Sequence, residues 1–249
     1  MTASLILHTL LALLLLAVPM GALYLLDRPS IKPVAVALAK GVAQLLAGAL
    51  MVWGVYKFDR VWLSIGWLFI LAIWAGWLVN TKCKLPATTY LLPTSAGLFG
   101  GVLLTGVWLL VAVLPVDAFS ARWFVPMMAI LLGHTSVMLV RGLSHFVSML
   151  QRNRAQYDFL VGNGASPWQA LRPFIRTSLL AVLSPTIANL SALALATLPL
   201  VFCGMLLGGF SPINAFAVMI DIILGCVAAS VLALGITIVL IKAMNLITK

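Results

Sequence analysis

The sequence contains no glutamate. Five aspartates are its whole acidic complement, against fifteen lysines and arginines, leaving a formal charge of +10 over 249 residues. Charged side chains make up only 8% of the chain and hydrophobic ones 63%. A soluble domain is nearer about 25% charged and under half apolar, so a separate soluble catalytic domain has no room here. A membrane-embedded enzyme would need clustered His, Asp or Glu, or an activated nucleophile. Three histidines, no glutamate and no HExxH or GxSxG pattern argue against one. The expectation is that this chain is not an enzyme.

Other absences are equally informative. Cys83, Cys203 and Cys226 are scattered and form no CxxC pair, so neither a disulfide framework nor a structural zinc site is expected. No GxxxxGK[ST] phosphate loop is present, so any ATP that drives this protein must be bound by a separate subunit. The basic residues are not interleaved with aromatics as in an RNA- or DNA-binding surface. The reading is no nucleic acid, with cations facing the cytoplasm and anionic membrane lipid.

What the chain does have is apolar runs from end to end, each near the roughly 20 residues that cross a bilayer. Seven spans are expected in one transmembrane domain, residues 1–249: about Leu5 to Leu26, Val34 to Tyr56, Val61 to Val79, Thr94 to Leu114, Phe124 to Leu150, Leu179 to Leu207 and Ala215 to Ile241. The fold class is therefore an all-α membrane protein. Met1 to Leu26 has no basic leader region and reads as a retained first span rather than a signal peptide. With the N-terminus outside and the C-terminus cytoplasmic, the inside segments hold Arg28, Lys32, Lys82, Lys84, Arg152, Arg154, Arg172, Arg176, Lys242 and Lys249. The outside loops hold Lys57, Arg60 and Arg122, which agrees with the positive-inside rule.

One large polar interruption runs from Gln151 to Ser178. Gly162-Asn163-Gly164 is a chain break, since these residues accept φ > 0. Ser166-Pro167 is a helix start, with Ser as N-cap and Pro at the first helical position. Beyond it Trp168, Leu171 and Ile175 fall on one face, and Gln169, Arg172 and Arg176 on the other. Pro173 is expected to end or kink the element. The expectation is a short amphipathic helix along the membrane, from Trp168 to Phe174, followed by a bend into span six. It is either an interfacial anchor or a docking element for a cytoplasmic ATPase.

Polar residues inside spans are costly and tend to face an interior or an aqueous path. Lys40, His134, Arg141 and Asp221 are the deep ionisable candidates. His134 and Asp221 offer an imidazole and a carboxylate to a divalent metal, four ligands across a homodimer. The plainer alternative is a hydrogen-bonded packing histidine and an Asp221 paired with Lys40 or Arg141. Span six carries Pro185 and Pro199 with Ser184, Thr186, Asn189, Ser191 and Thr197, reading either as a kinked pathway-lining helix or as ordinary helix–helix bonding. Gly97, Gly100 and Gly101 favour close helix packing.

The stretch from Gly133 to Pro212 resembles the membrane subunit of the iron-export (Fet-type) ABC transporter family, which includes plant proteins linked to aluminium tolerance. The pattern rests on Gly164, Ala165, Ser166, Pro167 and Ala170; on Arg176 and Ser178; on Pro185, Thr186 and Ile187; on Leu198, Pro199 and Gly204; and on Gly209 and Pro212. Lys40, Gln44 and Gly48 sit like the family's Arg, Gln and Gly in span two. The chain departs from the pattern at His134, at Ala188 and Ser191, and at Leu200-Val201-Phe202, where the substrate would pass.

The resemblance implies a permease subunit in the inner membrane. It would work as a homodimer with two ATPase subunits that carry ATP and Mg, with no cofactor on this chain, and would export a metal ion of the iron type. The expected ATPase-coupling residues are Gly164, Ala165, Ser166, Pro167, Ala170 and Arg176 from the resemblance, with Trp168 and Arg172 from the helix faces. The expected pathway residues are Lys40, Gln44 and Thr186 from the resemblance, with Asp221, His134 and Asn189 from their polarity within spans. The alternatives are an ABC permease for a hydrophobic or amphipathic substrate, or an ATP-independent secondary transporter. The latter predicts inverted repeats, and no convincing repeat relates the two halves.

Overall fold

The structure is a computed structural model that describes residues 16–26, 28–114, 119–190, 198–244 and 246. All regular structure among them is helical, as expected for apolar runs that must satisfy every backbone group internally. The helices are α1 (Ala17–Leu26), α2 (Ile31–Phe58), α3 (Val61–Lys82), α4 (Ala87–Trp108), α5 (Ala121–Arg152), α6 (Arg154–Gly162), α7 (Pro167–Leu190), α8 (Leu198–Leu207) and α9 (Pro212–Ala243). Helix α4 runs on through a π-helical turn, Leu109–Val113. Among the described residues, five helical segments are long and apolar enough to cross a membrane: Ile31–Phe58, Val61–Lys82, Ala87–Val113, Ala121–Arg152 and Pro212–Ala243. The two other expected spans fall partly outside the described residues: most of Leu5 to Leu26, and residues 191–197 within Leu179 to Leu207.

The chain forms two units, residues 1–54 and 55–249. In the first, Arg28 closes the end of α1, with its guanidinium 4.4 Å over the Tyr24 ring and its Nε donating to the Tyr24 carbonyl at 3.4 Å. In the second, α4 lies against α9, α3 against α4, and α5 touches α3, α4, α7 and α9. Gly97 and Gly101 make the α4–α9 approach possible. A Cβ on Gly101 would lie 2.7 Å from the Ala233 nitrogen and 2.9 Å from the Ala229 oxygen, and one on Gly97 would meet Thr237. Small residues four apart on both helices let the backbones touch. The apolar core follows from that contact: Leu68, Leu98, Val102, Met128, Leu131, Leu139, Leu143 and Leu234 are fully buried. Asn80 ties α3 to α4 by donating to the buried Thr94 hydroxyl at 3.1 Å.

Contacts at the helix ends collect two sets of charges. At one end, Tyr90 donates to the Leu246 carbonyl at 3.3 Å and Lys242 sits 4.0 Å over the Trp168 ring. Helices α3, α5 and α9 finish there, and α7 begins there, carrying Lys82, Arg152, Arg172, Arg176 and Lys242. At the other end, Asp59 accepts from the Ala121 N–H at 2.7 Å, capping α5 from the α2–α3 turn, and Tyr56 donates to the Arg122 carbonyl at 3.3 Å.

The polar interruption differs from its expected form. Gln151 and Arg152 end α5, and Arg154–Gly162 form the separate α6 beyond a turn at Asn153. The Asn153 amide donates to the Met149 carbonyl at 3.0 Å, and α6 is braced by an exposed Arg154–Asp158 pair at 3.5 Å. The glycine break is where it was expected. Gly164 takes φ +86°, with Gly164 N–H on the Val161 carbonyl and Ala165 N–H on that of Leu160, a Schellman stop. Beyond it no short helix ends at Phe174. Helix α7 continues through Pro173 and Pro185 to Leu190. Pro173 frees the carbonyl of Gln169, an exposed residue where a polar surround can satisfy it, and the buried Phe174 and Ser178 hold the axis together on the opposite side. The buried face is also not the expected one. Ala170, Leu171, Phe174, Ser178 and Val182 are buried, whereas Trp168 is 41% exposed and Ile175 half-buried.

Candidate coupling and translocation site

The α6–α7 corner is assembled from the start signals read in the sequence. Ser166 caps α7: its Oγ accepts from the Gln169 N–H at 3.3 Å, while Gln169 Oε1 accepts from the Ser166 N–H at 2.8 Å. This reciprocal capping box satisfies two donors that a helix start leaves open. Ala170 and Leu171 then anchor the first turn with no exposed surface. Pro167, Gln169, Arg172 and Arg176 stay exposed. Arg172 and Arg176 also line a shallow hollow of about 440 Å³ with Ile175, Leu179 and Leu180. The corner is thus capped, anchored by buried Ala170 and Leu171, cationic and open.

The expected pathway residues are spread out. His134 on α5 is half-buried, with Nδ1 3.4 Å from the Ser230 hydroxyl of α9, which itself donates to the Cys226 carbonyl at 2.7 Å. Asp221 is half-buried on the same helix, nine residues before Ser230, about 13 Å along a helix axis at about 1.5 Å per residue. One chain therefore does not bring His134 and Asp221 to one point. Among the described residues no group of three or more His, Cys, Asp or Glu is placed to hold a metal. Asp221 and Arg141 form no ion pair among the described residues. Thr186 faces α5, 3.9 Å from Met138 Sδ. The Asn189 side chain lies outside the described residues, and Lys40 and Gln44 are exposed on α2 in the first unit.

Two features were not read in the sequence. One is a cavity of about 320 Å³ between α5, α8 and α9. It is walled by apolar side chains such as Met127, Met205, Phe210 and Ile222, with Arg122 among them. Its residues come from segments far apart in the chain, so no local pattern announces it. The other is a cavity of about 630 Å³ at the end of α3, lined by Lys82, Cys83, Lys84, Arg141, His145 and Gln151 among others. The Lys-Cys-Lys run and the Arg141/His145 pair one turn apart were visible signals, but only packing places them together. Arg141, expected deep in span five, is exposed at this basic end.

A family model described as an uncharacterised protein family, UPF0014, matches residues 6–245. The chain belongs to the UPF0014 family. Similar members include a UPF0014 membrane protein of the cyanobacterium Synechocystis, 27% identical over 170 residues. The rice UPF0014 membrane protein STAR2 is 26% identical over 163 residues, and the Arabidopsis protein ALUMINUM SENSITIVE 3 is 24% identical over 160. These alignments cover 65%, 65% and 64% of this chain and 62%, 55% and 57% of the relatives. The chain thus matches less than two thirds of each relative's length. No solved structure matches it. UPF0014 membership, membrane-named relatives and five span-length apolar helices together make this a multi-pass membrane protein. The plant aluminium link that the family resemblance implied appears in the name of the Arabidopsis relative.

Proposed function

We propose that this UPF0014 protein is the permease subunit of an ABC transporter in the inner membrane, working as a homodimer with two separate ATPase subunits that bind ATP and Mg. The observation that carries the reading is the α6–α7 corner. A Gly164 hinge and a capping box set a cationic surface of Arg172 and Arg176 outside a rigidly anchored turn. Helix α7 runs from that surface through Pro173 and Pro185 past Thr186, so a pull at its start passes along one continuous helix. The orientation follows the charges, with the Lys82, Arg152, Arg172 and Lys242 end in the cytoplasm.

Metal-ion export of the iron type is the substrate reading that the family resemblance supports. His134 and Asp221 then act at different depths of the path, or combine across two protomers. A second substrate class, an amphipathic molecule with an anionic head, is favoured by the apolar cavity that includes Arg122.

The test is capture of an ATPase by tagged full-length protein, followed by transport assays of the double variant Arg172→Glu/Arg176→Glu. Capture should drop at least about tenfold, since two charge-assisted contacts turn into repulsions. Unchanged capture and transport would remove the coupling role. Stimulation of the assembled ATPase by a panel of metals and lipids then separates the two substrate classes. A metal response that survives Asp221→Asn and His134→Ala removes those two as ligands.

A further inference from the structure

The cavity at the end of α3 has a chemistry that neither the coupling corner nor the apolar pocket uses. Its wall carries Lys82 and Lys84, and Arg141 and His145 one turn apart on α5, with no aspartate among its lining residues. Among the described residues no ion pair reaches any of the four. Nothing in the wall supplies negative charge. Cys83 donates to the Val140 carbonyl at 3.6 Å and burial pushes its thiol up to about 11, so it stays neutral. The Ser144 and Ser148 hydroxyls already donate to the Arg141 and His145 carbonyls at 3.1 and 3.2 Å. His145 Nδ1 is buried with no hydrogen-bond partner among the described residues.

Lys84 adds an independent sign. It holds φ +56° in the stop that ends α3, where its N–H bonds the Thr81 carbonyl and the Leu85 N–H bonds that of Asn80. Glycine suits this position without strain. A lysine held there against its backbone preference contributes what glycine lacks, a cation directed by the turn. The position is also right for lipid. A membrane-spanning helix that ends at Lys82 brings this cavity to headgroup level, where anionic leaflets attract basic clusters.

We propose that this cavity binds a phosphate group, carried by an anionic phospholipid headgroup or by free phosphate, with Lys82, Lys84 and Arg141 as its charge partners and His145 beside them. Arg141 supplies a planar two-pronged donor and the lysines supply point charges, the usual division of labour around a phosphate. The site needs no ATPase partner and stands or falls separately from the coupling role.

For the experiment, the full chain is placed in nanodiscs of phosphatidylcholine, with or without phosphatidylglycerol. Native mass spectrometry counts retained phosphatidylglycerol, and calorimetry follows inorganic phosphate titrated into the neutral discs. The variants are Lys84→Gly, Arg141→Gln and, at the opposite end, Arg60→Gln. Lys84→Gly removes the cation while relieving the backbone, so a loss in it does not come from misfolding. The expected result is saturable binding of at least one probe, weakened about tenfold in Lys84→Gly and Arg141→Gln and unchanged in Arg60→Gln. Retained phosphatidylglycerol identifies a lipid site; phosphate binding in neutral discs identifies a free-anion site. The proposal is overturned if neither probe saturates, if Lys84→Gly and Arg141→Gln bind like the parent, or if Arg60→Gln loses as much as they do.

Discussion

Cys83 shows how one side chain reports its surroundings. It sits just past α3, half-buried, with its thiol raised to about 11 by desolvation. A raised thiol pKa means the protonated form dominates at neutral pH, and only the thiolate attacks an electrophile. In a Cys203→Ala/Cys226→Ala background, the maleimide rate should therefore rise about tenfold per pH unit from pH 7 and level off only near the raised pKa. A plateau near pH 9 would show that the thiol is not shielded as described. The same scale explains Ser166 and Ser211. Each precedes a proline at the first helical position and accepts from the N–H three residues on, so two separate helices start by one chemistry.

At the scale of elements, the α4–α9 seam holds the second unit together, and it depends on hydrogen atoms where side chains would be. Gly101→Val would drive two methyls into the Ala229 and Ala233 backbone, which cannot step aside as a flexible side chain would. A destabilisation of about 1–3 kcal/mol is expected from such overpacking, read as a lower midpoint in detergent unfolding. Gly235 on α9 is the matched control, since a Cβ there meets nothing within 4 Å. Gly235→Ala should be neutral or slightly stabilising, because alanine is the better helix former by about 1 kcal/mol. Equal losses in both variants would mean that the seam is not the contact that matters.

At the scale of the whole molecule, orientation is the property on which the transport reading depends. Single cysteines at Arg60 and Arg154, in a background without the native three, should behave oppositely in intact cells. The residue-60 thiol should react with an impermeant maleimide from outside, and the residue-154 thiol only after the membrane is opened. The reverse pattern would put the α6–α7 corner outside, away from any ATP-bound subunit, and would end the coupling proposal.

Several of these features are determined by local chemistry and so were legible in the sequence. Apolar runs must become helices because no lipid-exposed backbone can stay unpaired. Gly164 breaks the chain because a left-handed turn suits glycine, and Ser166-Pro167 starts a helix because both residues act on their own first turn. What could not be read depended on which helix faces which. The proline rule stopped a helix at Pro173, yet burial of Leu171, Phe174 and Ser178 along one side carries α7 through it. Trp168 counted as part of the apolar face, yet tertiary packing turns it out beneath Lys242. His134 and Asp221 looked like a pair by residue type, but the register of α5 against α9 gives His134 to Ser230 instead. Lys82, Lys84, Arg141 and His145 lie up to 63 residues apart in the chain and share one cavity only because α3 ends beside α5. Sequence determined the material and the punctuation of the helices; tertiary structure decided their neighbours, because side-chain burial and charge proximity are properties of contacts between elements and not of any one of them.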